Sequence, residues 1–334
     1  MARWATAALI AALLVGCGAA PPTPSTVKAT LSPAPSPSAA SFQPTLPTSE
    51  SSGSSGPAPA LSRYDALVLK ADPEAYWTMD GAGPLERDAT GHGHDAAVVD
   101  AQRTTVVAPN GDRVLVFDGV GDYAGVASSP QFSIPTTGSM TWEGWILPST
   151  LQFPHGSATG YVAWMGKCYR HAPTCEWQAR MYSADTAQGR CSRLSGYVFN
   201  PEAGLGSGAD WQPDCTMPLT GRWLHVVTEY TVHSTPPECP SGPPGQINIW
   251  VNGILWNAAA HRPTGCFSQY QVIPVANDSP LTIGTMDGTT WFAGAIGKVA
   301  LYDRLLTQAE ISSHYKAMTS RDPAGSCATT CTSS

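Results

Sequence analysis

The sequence predicts an all-β domain, and three observations carry that reading. Charged residues are only 13% of the chain, too few for long solvated helices, while 32 glycines and 30 prolines punctuate it. Short runs of β-branched and aromatic residues recur between those turn formers. A single segment carries a strong helix signal, near the C-terminal end. Many short strands joined by Gly/Pro-rich turns point to a sandwich or barrel.

Taken in order, the strand candidates are "AYWTMD" (75–80), "VLVFDG" (114–119), "YAGVAS" (123–128), "SMTWEGWIL" (139–147), "GYVAWMGKC" (160–168) and "CEWQARMY" (175–182). Further along come "WLHVVTEYTV" (223–232), "QINIWVNG" (246–253), "ILWNAAA" (254–260), "PLTIGTM" (280–286) and "AIGKVALYDR" (295–304). No internal repeat is present. Asp118 and Asp122 are four residues apart with Gly119 and Gly121 between them. They could mark a metal loop, but they fit a tight turn between two strands better: glycine takes positive φ and aspartate hydrogen-bonds nearby backbone. Asn252-Gly253 is a strong short hairpin signal. The one helix lies in "LLTQAEISSHYKAM": Thr307 as N-cap and Glu310 three residues on form a capping box, and Leu306 with Ile311 forms a hydrophobic staple. It should pack on a sheet edge in a structural role.

The ends of the chain read differently. Arg3 precedes an apolar run, 5–15, that is too short to span a bilayer stably, so residues 1–16 read as a signal peptide. Leu14-Val15-Gly16-Cys17 resembles a bacterial lipobox, which implies acylation at Cys17 and attachment to the outer face of a membrane. Residues 17–62 are rich in Pro, Ser, Thr and Ala, with Lys28 and Glu50 the only charges, and cannot build a core. An extended polyproline II path at ~3.1 Å per residue would let this linker reach on the order of 100 Å. The folded domain should then occupy 63–320, with a cysteine-containing tail over 321–334.

Nine cysteines are an odd number for an exported chain. A lipid on Cys17 leaves eight. Cys168 and Cys175 flank a short polar loop and should pair. Cys239 and Cys266 are centred on Asn252-Gly253, so hairpin symmetry brings them opposite one another. Cys191 with Cys215, and Cys327 with Cys331, follow by elimination. The spacings are wide and no Cys-x-x-Cys occurs, which speaks against zinc.

Several functions find little support. A net charge of −7 without a basic cluster makes nucleic acid an unsuitable partner. No Gly-x-Ser-x-Gly elbow and no glycine-rich phosphate loop occurs. "GHGHD", with His92, His94 and Asp95, reads as a glycine-rich loop in preference to a metal site.

Six segments in order resemble the LamG-like jelly-roll family of the concanavalin A-like lectin/glucanase group. They are Tyr76-Trp77-Thr78-Met79-Asp80 with Asp88-Ala89-Thr90-Gly91-His92-Gly93; Leu115-Val116-Phe117-Asp118-Gly119-Val120-Gly121-Asp122-Tyr123; Met140-Thr141-Trp142-Glu143-Gly144-Trp145; Trp223-Leu224-His225-Val226; Trp250-Val251-Asn252-Gly253; and 281–284 followed by 292–305. The resemblance spans nearly all of 75–318 and implies a two-sheet antiparallel jelly-roll sandwich with one sheet concave. It leaves function open, because the fold hosts lectins, adhesion modules, pentraxins and glycoside hydrolases. The chain departs from the family pattern twice. Ile296-Gly297-Lys298-Val299 lacks the usual two carboxylates, so the calcium that some relatives bind near this strand is not expected and no cofactor is implied. The middle, roughly 150–222, is enlarged and could lie over one face of the sandwich.

Side chains alternate along a strand. Met140, Trp142, Gly144 and Ile146 share one face, and Thr141, Glu143, Trp145 and Leu147 the other; Ile247, Ile249 and Val251 oppose Asn248, Trp250 and Asn252. The apolar sets should fill the core. Trp145, Glu143, Trp250 and Asn248 would then line an outer face, with His225 and Glu229 able to join them. Aromatic rings flanked by carboxylate and amide groups suit a glycan. The expected role is binding a glycan or a cell-surface protein without catalysis. A polysaccharide-cleaving enzyme is the alternative. A retaining glucanase of this fold would show Glu-x-Asp-x-x-Glu, with carboxylates about 5–5.5 Å apart. Glu143, Glu176 and Glu229 instead stand alone on their strands. A purely structural surface module is the third reading.

Overall fold

The computed structural model describes residues 61–320, apart from 154–159, 169–174, 184–191, 201–204, 212–218, 234–245, 257–271, 273, 287 and 289, and only the backbone of 205–207. Helix α1 (Arg63–Lys70) opens the domain, followed by β1 (Ala75–Trp77), β2 (Leu85–Glu86), β3 (Ala96–Val99), β4 (Leu115–Asp118) and β5 (Tyr123–Val126). A short turn of helix, α2 (Ile134–Thr137), precedes β6 (Ser139–Pro148), β7 (Tyr161–Lys167), β8 (Trp177–Tyr182), β9 (Leu194–Asn200) and β10 (Leu205–Trp211). The rest is β11 (Leu224–Thr231), β12 (Gln246–Val251), β13 (Ile254–Leu255), β14 (Leu281–Ile283), β15 (Ala293–Tyr302) and α3 (Gln308–Thr319).

These strands form two antiparallel sheets. One runs β1-β15-β6-β11-β12-β13, with β4 also beside β15; the other runs β10-β9-β8-β7-β14-β5-β3-β2. The expected all-β sandwich is present. Its core takes the inward alternates of both sheets, including Met140, Trp142, Ile146, Ile247, Ile249 and Val251. Trp142 of one sheet stacks on Trp177 of the other, with centroids 4.8 Å apart. Gly144 makes room for this packing, since a Cβ there would stand 2.8 Å from the Trp164 ring.

The outer face of the seven-stranded sheet is a third layer and a correction to the sequence reading. Helix α3 lies over that face and not at an edge, and α1, which was not expected, lies beside it. Tyr64 and Val68 of α1 and Ile311 and Met318 of α3 form one buried cluster with Trp145, Val227 and Trp250 of the sheet. Both helices start with capping boxes, Thr307 with Glu310 and Ser62 with Asp65. Each cap is worth about 1 kcal/mol, so the Ser62-x-x-Asp65 spacing was a legible start signal.

The turns carry their own logic. Asp118 Oδ1 accepts from Val120 N at 2.7 Å, Asp122 Oδ2 accepts from Asp118 N at 2.9 Å, and Gly119 has φ +82°. The two aspartates therefore build a turn. It is not a simple returning hairpin: β4 pairs with β15 in one sheet and β5 with β14 and β3 in the other, so the turn carries the chain between sheets. Asn252 and Gly253, at φ +54° and +77°, close the β12–β13 hairpin as expected. In the glycine-rich loop, Asp88 Oδ2 accepts from His94 N at 3.1 Å and Asp95 pairs with Arg87 at 2.6 Å. Cys168 and Cys175 are disulfide-bonded. Cys17, Cys191, Cys215, Cys239, Cys266, Cys327 and Cys331 lie outside the described residues.

Candidate functional site

The six residues expected to contact a ligand come together on the seven-stranded sheet. Trp145 pairs in register with His225, and Glu229 with Asn248. Glu143 is fully buried and accepts hydrogen bonds from Tyr64 Oη at 2.7 Å and Tyr302 Oη at 3.1 Å. His225 Nε2 lies 2.9 Å and His314 Nδ1 3.1 Å from its carboxylate. Burial alone would raise the Glu143 pKa, but His314 and His225 hold it well below the usual range. For His314 burial pulls down and Glu143 pulls up, and the carboxylate wins. Trp145 stacks on His225 with centroids at 4.8 Å. Trp250 Nε1 donates to Glu229 Oε2 at 2.7 Å, and burial raises the Glu229 pKa.

The row was expected to line an open face, and here the structure differs. Glu143, His225, Trp145, Glu229 and Trp250 are all buried, and only Asn248 is half-buried. Among the described residues the cover is α1 and α3. Polar groups bonded across the layer, Glu143 to Tyr64 and His314 above all, hold the helices to the sheet, while Trp145 Nε1, His225 Nδ1 and Glu229 Oε1 have no partner among the described residues. A ligand arriving from solvent meets the helices first.

Lys298, the departure from the family pattern, also turns inward. It sits at φ +56° in a bulge of β15, fully buried, with Nζ 2.7 Å from Asp112, 2.8 Å from Asp65 and 3.7 Å from Asp80. Burial would lower its pKa, but Asp65 and Asp112 raise it further than burial lowers it. The positive charge among these three aspartates is therefore the chain's own ammonium.

The opposite side of the molecule offers a different arrangement. In β8, Trp177, Ala179 and Met181 enter the core, which puts Gln178, Arg180 and Tyr182 on the sheet's other face, where they are buried; in β9, Leu194 and Val198 enter it, which puts buried Ser195 and half-buried Tyr197 and Phe199 on that face. Tyr161 of β7 lies beside Tyr182 at 5.5 Å. Among these rings stands Arg180, its guanidinium carbon 4.0 Å from the Tyr197 centroid, 4.4 Å from Tyr161 and 4.9 Å from Phe199. Tyr161, Tyr197 and Phe199 are half-buried, so part of each ring meets solvent. Gly208 lies opposite Tyr197, and a Cβ there would come within 2.5 Å of the ring. The Cys168–Cys175 disulfide, Ala163 and Met286 form a small apolar cluster against which Tyr161 and Phe199 pack. At the far end, Arg193 lies over the Tyr182 ring at 3.5 Å and pairs with Asp210 at 3.4 Å.

A row of tyrosine and phenylalanine rings around a guanidinium donor can pack against the C–H faces of sugars while bonding their oxygens. Sequence reasoning missed this site, although the alternation in "WQARMY" marks it. Strands β9 and β10 were absent from the expected elements, so the flanking rings had no face assigned to them.

Among solved structures, the ligand-binding domain of botulinum neurotoxin serotype D in complex with N-acetylneuraminic acid is similar at 11% identity and a TM-score of 0.51, over 75% of this chain and 52% of that one. The receptor-binding domain of botulinum neurotoxin mosaic serotype C/D is similar at 11% identity and a TM-score of 0.50, over 73% and 50%. The chain thus spans about half the length of the solved chains it matches, and such identities speak for the fold alone. No curated protein matches the chain by sequence. The family model described as the concanavalin A-like lectin/glucanases superfamily matches residues 118–312. With more than half its length matched, and two antiparallel sheets around one core, the chain belongs to the concanavalin A-like lectin/glucanase superfamily.

Proposed function

We propose that the chain is a glycan-binding surface module, without catalysis, that receives its ligand on the outer face of β7, β8 and β9. The observation that carries this reading is the row of half-buried rings, Tyr161, Tyr197 and Phe199, set around Arg180 and braced by a disulfide. Bracing matters because ordering mobile side chains costs binding energy, and rings already fixed in place avoid that cost. The buried Glu143 row takes the structural part in this reading. Lipid on Cys17 and the 17–62 linker would hold the domain at a distance from the outer face of a bacterial membrane.

The test is a glycan-array screen of wild-type protein and a Tyr197→Ala/Phe199→Ala variant. Wild type should bind at least one glycan, and the variant should bind it at least tenfold more weakly with an unchanged melting temperature. Wild-type protein that binds no glycan would sink the reading, a protein ligand at the same rings would replace it, and release of reducing sugar would turn it to a glycosidase. Growth with a fatty-acid analogue should label the wild-type protein and leave Cys17→Ala unlabelled; an unlabelled wild type removes the anchor.

A further inference from the structure

Arg180 holds more charge than its surroundings use. The residue is 6% exposed. Its Nε donates to Gln178 Oε1 at 2.7 Å and its Nη1 reaches Tyr182 Oη at 3.4 Å. Among the described residues Nη2 has no hydrogen-bond partner, and no carboxylate pairs with this guanidinium. The carboxylate on the same face, Asp210, pairs with Arg193. Two guanidiniums therefore lie against the Tyr182 side chain, one through its hydroxyl and one over its ring.

A guanidinium nearly out of water is costly unless something compensates it. Three ring faces supply part of that compensation through cation–π attraction. They leave Nη2 without a partner among the described residues, because a ring interacts with the face of the guanidinium while its donors point outward in the plane. A planar or tetrahedral anion is the partner that such donors fit best. On a chain of net charge −7 this cationic spot is also against the general balance.

We infer that the ring platform selects anionic glycans, with Arg180 binding a carboxylate or sulfate group on the sugar while Tyr161, Tyr197 and Phe199 hold the sugar ring. This rests on the glycan-binding reading above and adds the class of glycan. Arg180 is the specificity-determining residue, and its rigid setting among three rings fixes where on the sugar the anion must lie.

The experiment varies the ligand first, so the protein stays intact. Full-length wild-type protein is titrated with polygalacturonate, with the same polymer fully methyl-esterified, with dextran sulfate and with unmodified dextran. At least one charged polymer should bind tenfold or more tightly than its uncharged counterpart, and 0.5 M salt should erase most of that difference. The polygalacturonate pair reads carboxylate and the dextran pair reads sulfate. Arg180→Gln and Arg180→Lys then separate charge from geometry: Gln should abolish the preference, and Lys should restore only a minor part of it. Equal binding within both pairs overturns the inference and leaves glycan binding standing. Binding of none of the four, after an array that also shows none, overturns both. A charge preference that survives in Arg180→Gln overturns the role of Arg180.

Discussion

Glu143 shows how one buried carboxylate can tie several elements together. Tyr64 comes from α1, His314 from α3, His225 from β11 and Tyr302 from β15, and all four meet its two oxygens. Its depressed pKa and the raised pKa of His314 are two views of one interaction, and each gives a direction in pH. The carboxylate contributes stability above its ordinary value of 4.5 and loses it as pH falls through its lower folded value. The histidine contributes fully below its ordinary 6.5 and loses it as pH rises through its higher folded value. The pair therefore favours the docked helices most between those two values. In thermal unfolding at pH 5.5 and 8.5, wild type should lose more melting temperature over the interval than His314→Gln does. Parallel loss in both proteins would show that the pair does not titrate as the geometry requires.

At the scale of elements, strands were legible where alternation was strong and motifs supported it. Strand β6 was expected over 139–147 and occupies Ser139–Pro148, and its inward set, Met140, Trp142 and Ile146, is in the core as expected. Strands β2 and β3 were missed because two or four residues give too short a period to read. Strand β9 was missed because "LSGYVFN" carries rings on one side and Leu, Gly and Val on the other, so both faces look apolar. The largest error, the openness of the Glu143 row, arose one level up. Alternation assigns a side chain to a face, but what covers that face depends on elements distant in sequence. Here α1 stands 79 residues from Glu143 by its Tyr64 contact, and α3 stands 171 away by its His314 contact. The candidate site failed to appear for the complementary reason. Its rings lie in the enlarged middle, where β7 and β8 were expected as strands but β9 and β10, which extend the same sheet, were not.

The two outer faces of the sandwich differ in what lies on them. The seven-stranded sheet is closed by α1 and α3 around a polar knot, which leaves it as a rigid back. The eight-stranded sheet has its aromatic row on the other side, braced by Cys168–Cys175 and facing away from that knot. Division of this kind suits a domain whose ligand surface must keep its shape while the remainder serves as a frame. The central claim is that ligand enters on the ring side. Amide hydrogen exchange with and without polygalacturonate tests it most directly. The claim predicts added protection in β7, β8 and β9, over 161–167, 177–182 and 194–200, and no change in α1 or α3. Protection concentrated in 63–70 and 308–319 would contradict it and return the ligand to the Glu143 face.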